Sequence, residues 1–185
     1  MVVVIWDCIV VKEIDLHAAH LRMLEYKIYN KIYPSFENPT EMQMFRNLRN
    51  LSLKLVTRLA IVEIFDLSRL LGDFPVPQSL NFVVIKLPTT RERRRPPPSP
   101  TRHTELKQVT YGGFNGLDTE MEFVLYILRC AAVLEQMFLS PGYKSEFFID
   151  RNSVSNLSFD EEKRNLIQQR LHGQAIPGKA TVIIQ

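Results

Sequence analysis

Cys8, His17 and His20 come nearest to a metal-ligand set in this chain, one thiol and two imidazoles close together in sequence. A tetrahedral zinc site needs a fourth ligand at a compatible interval, and no such residue stands near them, so no metal is expected. Gly112, Gly113 and Gly116 follow a strand-like run and precede a helical one, the setting of a phosphate-cradling loop. Their spacing is not G-x-G-x-x-G, and Gly-Lys-Ser/Thr does not occur in the chain, so they read as turn residues whose backbone needs glycine. A serine elbow, a paired-carboxylate motif and a Cys–His dyad are equally absent from the pattern. Cys130 falls inside a helical run and reads as a small buried hydrophobe. The expectation is a protein without catalytic residues and without a cofactor.

The elements that would position any functional group sit in a chain of 185 residues, 45% hydrophobic and 23% charged. That is the composition of one globular domain, two at most. The first apolar run, Met1 to Trp6, is far shorter than the ~20 residues of a spanning helix, and no basic residue precedes it as in a signal peptide. No membrane role is expected. Two cysteines cannot build a disulfide framework, which points to a reducing compartment, cytoplasm or nucleus. The net charge of +3 is local: Arg91, Arg93, Arg94, Arg95 and Arg102 against Glu92 give +4, leaving −1 elsewhere. A near-neutral body with one basic loop argues only weakly for nucleic acid.

A repeat organises the chain. Leucine, two residues, an apolar residue, one residue and another apolar residue recur from Leu21, Leu48, Leu80, Leu106 and Leu134, at intervals of 27, 32, 26 and 28. Leucine-rich repeats recur every 20–29 residues. Each copy ends in a period-2 alternation, the mark of a strand with one buried face. Copies joined by crossovers pair in parallel, and such a sheet needs a cover. Residues 58–71 and 119–132 have helical spacing, the second opening on Thr119 and Glu122 in capping-box register. The expected fold is therefore α/β: a short, irregular leucine-rich-repeat solenoid with a C-terminal helix and strand. An ordinary open α/β sheet is the alternative.

The ends and one loop depart from the repeat. Val2–Ile5 and Cys8–Val11 read as strands, residues 159–172 as a helix capped from Ser158, and Ala180–Ile184 as a final strand. A solenoid needs a polar cap over its first edge, and a hydrophobic strand at Met1 suggests that a covering segment has been lost or that the initiator Met is misplaced. Residues 89–104 (TTRERRRPPPSPTRHT) favour polyproline II and form a solvated loop. This loop could serve as a nuclear-import-like patch, a proline-rich ligand or a phosphosite at Ser99, or be a tolerated insertion. The chain divides into a repeat segment, 1–104, and a C-terminal region, 105–185.

The stretch Leu106-Lys107-Gln108-Val109-Thr110-Tyr111-Gly112-Gly113-Phe114, the run Leu125-Tyr126-Ile127-Leu128-Arg129-Cys130-Ala131, and Val133-Leu134-Glu135-Gln136-Met137 resemble the FBD region of plant F-box proteins. Phe123 or Val124 stands for the usual leucine, and Cys130 for the usual asparagine. Ile14 to Tyr26 resembles the leucine-rich repeat of the same proteins. The resemblance implies the substrate-recognition part of a Skp–cullin–F-box ubiquitin ligase, a protein that holds another protein. The helical F-box expected ahead of the repeats has no counterpart in the sequence, so a Skp-type adaptor is expected as a partner only if an F-box is supplied elsewhere. The alternatives are nucleic-acid binding through the arginine loop, or a truncated fragment without a ligase role.

Alternate strand residues would then line one open face. The repeat register puts Lys54, Phe82, Val84, Lys86, Thr110 and Phe138 there, among Glu25, Lys27, Ser52, Gln108 and Gln136. An apolar cluster of Phe82, Val84 and Phe138 on an otherwise polar face is a candidate site for an unidentified protein target. The competing reading has the 142–157 stretch fold over them.

Overall fold

A computed structural model describes residues 2–5, 22–29, 48–57, 77–86, 102–142, 158–172 and 180–185. The strand expected at 8–11, the helix at 58–71, and Cys8, His17 and His20 lie outside these residues. Among the described residues seven strands form one sheet: β1 (Val2–Ile5), β2 (Met23–Tyr29), β3 (Asn50–Thr57), β4 (Ser79–Lys86), β5 (Gln108–Gly112), β6 (Gln136–Ser140) and β7 (Thr181–Ile184). They lie side by side in chain order, and every neighbouring pair is parallel. Helix α1 (Asp118–Cys130) connects β5 to β6, and α2 (Glu161–Leu171) lies between β6 and β7. The sheet runs unbroken across residues 104 and 105, where the sequence pattern changes.

The strands share one starting geometry. Arg22 O accepts from the amides of Arg49 and Asn50, and Arg49 O from those of Gln78 and Ser79. Gln78 O likewise serves Lys107 and Gln108, and Lys107 O serves Glu135 and Gln136. Two successive amides on each strand thus share one carbonyl of the strand before, which fixes the register from β2 to β6.

That register corrects the third repeat. Leu51 pairs with Leu80 and Leu80 with Val109, so the place held by Leu48 and Leu106 is held in between by Pro77, not by Leu80. Read from Leu21, Leu48, Pro77, Leu106 and Leu134, the intervals become 27, 29, 29 and 28. Proline is accommodated because the ladder begins at the amide of the next residue, Gln78. The stretched interval disappears.

Two rows of side chains make the inner face. Leu51, Leu80, Val109 and Met137 form one across β3–β6, each at most 2% exposed. Leu53, Phe82, Tyr111 and Leu139 form the next. Full burial of such side chains contributes about 1.5–3 kcal/mol each. The Phe82 ring lies 4.8 Å from Tyr111 and 5.4 Å from Phe123 of α1, and Phe114 lies 5.2 Å from Tyr111. Helix α1 completes this core with Met121, Val124, Ile127 and Leu128; α2 adds Ile167 and Leu171, while its Leu166 is exposed.

The helix starts differ from expectation. Helix α1 begins one residue after Leu117, whose aliphatic side chain cannot accept a hydrogen bond; it is Glu120, not Glu122, that reaches back. Its Oε2 accepts from the amides of Asn115 (2.9 Å) and Leu117 (3.0 Å), so one carboxylate satisfies two amides ahead of the helix. Thr119 sits inside the first turn with its Oγ1 buried and unpartnered. At α2 the cap is Asp160, whose Oδ1 accepts from the Lys163 amide at 2.7 Å; Ser158 lies outside the helix. Gly113 has φ of 75°, and a Cβ there would collide with the Val84 carbonyl, so the turn leaving β5 needs glycine.

Candidate interaction face

The residues between the inner rows point the other way. Ser52 of β3 is in register with Asn81, Asn81 with Thr110, Thr110 with Phe138, and Phe138 with Ile183. A parallel row toward the strand starts holds Asn50, Ser79, Gln108, Gln136 and Thr181. Lys54 and Val83 are in register in the row beyond. None of these side chains belongs to the core, and Asn50, Asn81, Gln108, Gln136 and Thr181 are exposed. Asn81 Nδ2 donates to Ser52 Oγ at 3.3 Å, so the polar groups also contact one another across strands.

The expected site is therefore only partly assembled. Lys54, Thr110 and Phe138 stand on this face and are half-buried. Phe82 and Val84 do not: they are 1% and 3% exposed and lie in the core. The correction follows from the three-residue shift at Pro77, because an odd slip in register moves every side chain to the opposite face. Asn81 and Val83 take their places, and Ile183 beside Phe138 replaces them as the apolar element. Lys86 is the last residue of β4, in register with Thr57, and its side chain lies outside the described residues. Arg91, Arg93, Arg94 and Arg95 also lie outside them.

The titratable groups near the sheet serve packing. Tyr111 is buried on the inner face with its hydroxyl unpartnered; burial, helped by the negative charge of Glu120, raises its pKa well above the ordinary value. His103 is buried with Nε2 unpartnered, its ring edge-on to Tyr126 at 6.4 Å, and burial lowers its pKa. Its backbone amide donates to the Cys130 carbonyl at 2.9 Å. The Cys130 thiol is 4% exposed, and burial raises its pKa, which disfavours the reactive thiolate. Arg170 of α2 donates from Nη1 to Gly116 O and pairs through Nη2 with Asp118, tying the two helices together. Among the described residues no group of three or more His, Cys, Asp and Glu side chains could hold a metal ion. No helix among them is long and apolar enough to cross a membrane.

An α/β protein with an all-parallel sheet, covered by helices on one face and lined with amides and hydroxyls on the other, is the class these features define. Within it, the family model described as FBD matches residues 100–139, the segment spanning β5, α1 and nearly all of β6. The match supports a relationship to the F-box/FBD family, and the association of FBD domains with F-box proteins is consistent with a role in protein interaction. No curated protein and no solved structure matches the chain. The residues carrying the resemblance are mostly core: Ile127, Leu128, Cys130, Ala131, Leu134 and Met137 are all buried. Glu135, by contrast, is exposed and pairs with Lys107 at 3.4 Å.

Proposed function

We propose that this chain is a non-catalytic protein-interaction module, a short leucine-rich-repeat-like solenoid of the F-box/FBD kind that holds a protein target on the outer face of its sheet. The observation that carries the reading is the succession of parallel strands in chain order at near-constant intervals of 27, 29, 29 and 28 residues. A repeat of that kind builds a continuous surface from equivalent positions, and such surfaces serve binding. The outer rows suit recognition: neutral amides and hydroxyls for hydrogen bonds, with Phe138 and Ile183 as an apolar anchor.

The link to a plant ubiquitin ligase belongs to the same proposal. A Skp-type adaptor joins only through an F-box, so the chain by itself holds the target and leaves adaptor and cullin to another segment or subunit. Affinity capture tests this division. Target retained by the wild-type chain and lost with Phe138→Ser, at unchanged folding, supports the reading. A target that binds Phe138→Ser equally well removes it. Binding that is lost on changing Arg93, Arg94 and Arg95 to Gln and falls steeply with salt would instead assign nucleic acid to the arginine loop.

A further inference from the structure

The described part of the outer surface is chemically polarised from one side of the sheet to the other. At the strand starts, Arg22, Arg49, Gln78, Lys107, Glu135 and Ala180 occupy successive rim positions, each immediately before the first residue of its strand. Arg22 and Arg49 are exposed neighbours, and among the described residues neither pairs with a carboxylate. Lys107 differs, because Glu135 on the next strand neutralises it. At the other side, Phe138 and Ile183 are in register on β6 and β7. The rows between them are mostly amides and hydroxyls, with Glu25 in register with Ser52 and Lys27 with Lys54 on the β2–β3 side.

Taking the outer face to be the docking surface, we infer that it accepts an extended acidic peptide segment, its carboxylates on Arg22 and Arg49 and a large apolar side chain on Phe138 and Ile183. Two adjacent, exposed guanidinium groups call for anionic groups. The apolar end calls for an aliphatic or aromatic residue, which nucleic acid does not supply in that form. Nucleic acid also favours a longer run of unneutralised cations. Three strand spacings and three residues of rise separate the arginine rim of β3 from Phe138, roughly 17 Å on the diagonal. An extended chain covers that in about five residues. Bridging amides on the peptide backbone would meet Asn81, Thr110 and Gln108.

The test uses the full chain and a synthetic fluorescent peptide carrying three carboxylates, a neutral five-residue spacer and a Leu-Phe end. Its uncharged analogue, with amides for carboxylates, and a single-stranded oligonucleotide are run beside it. The acidic peptide should bind about tenfold more tightly than the analogue at low salt, an advantage that shrinks as salt rises. Arg22→Gln with Arg49→Gln should remove that advantage, and Phe138→Ser should weaken both peptides, with circular dichroism unchanged. Equal binding of the two peptides, or an advantage untouched by the arginine changes, overturns the acidic assignment. If Phe138→Ser still weakens peptide binding in that case, the docking face survives. If it has no effect, the docking face fails as well. Tighter binding of the oligonucleotide, lost with the same arginines, also overturns the inference.

Discussion

The two faces of this sheet are made by alternate residues of the same strands and follow different rules. The inner rows, Leu51–Leu80–Val109–Met137 and Leu53–Phe82–Tyr111–Leu139, are large, apolar and closed to solvent. The outer row Ser52–Asn81–Thr110–Phe138–Ile183 changes from hydroxyl and amide to aromatic and aliphatic within five strands. A packed interior tolerates little change in volume, whereas a solvated face is constrained chiefly by what touches it. Much of the similarity to the FBD family therefore reports the core, and the identity of any partner is written on the face where no repeat pattern is required.

Breaking the comparison at β4 should give the largest effect. Phe82→Ala is expected to cost about 3–5 kcal/mol, while Asn81→Ala on the opposite face stays within about 0.5 kcal/mol. Urea denaturation of the two variants measures the difference. At the start of α1, Glu120→Ala leaves the Asn115 and Leu117 amides without their acceptor, an expected loss of about 1–2 kcal/mol, with Glu122→Ala nearly neutral.

Acidification separates the faces in another way. His103 is held neutral by burial, with a folded-state pKa below its ordinary value of 6.5. The unfolded chain therefore binds the proton more readily. Stability from this group is full above pH ~6.5 and declines as pH falls through the ordinary histidine range. His103→Leu should flatten that part of the urea-midpoint profile between pH 7.5 and 5; an unchanged slope would place the sensitivity elsewhere. The smallest effect sharpens the inner row: Tyr111→Phe removes a buried hydroxyl without a partner, so thermal unfolding should show no loss and a gain of up to about 1 kcal/mol.

The inner face was largely legible in the sequence because its signal repeats. Period-2 alternation located strands β2 to β6, and helical spacing located α1 and α2 to within two residues at their ends. The third repeat misled because Leu80 carries the letter expected at the leading position, which Pro77 holds. Counting 29 residues on from Leu48 finds Pro77. The capping residues misled for a related reason: Thr119–Glu122 and Ser158–Glu161 have the right spacing, yet Glu120 and Asp160 make the bonds. The outer face was legible at Lys54, Thr110 and Phe138 and inverted at Phe82 and Val84. Ile183 escaped because β7 lies outside the five-copy repeat, and Arg22 and Arg49 because they precede the alternating positions.

The direction of the β4 side chains decides whether the outer face is the surface described here. Single cysteines at positions 81, 82, 83 and 84, introduced with Cys8→Ser and Cys130→Ala, can be timed against a bulky maleimide in native buffer. Rapid labelling at 81 and 83, with protection at 82 and 84 until denaturant is added, is the expected pattern. Fast reaction at 82 and 84 with protection at 81 and 83 would turn the strand over and contradict the account.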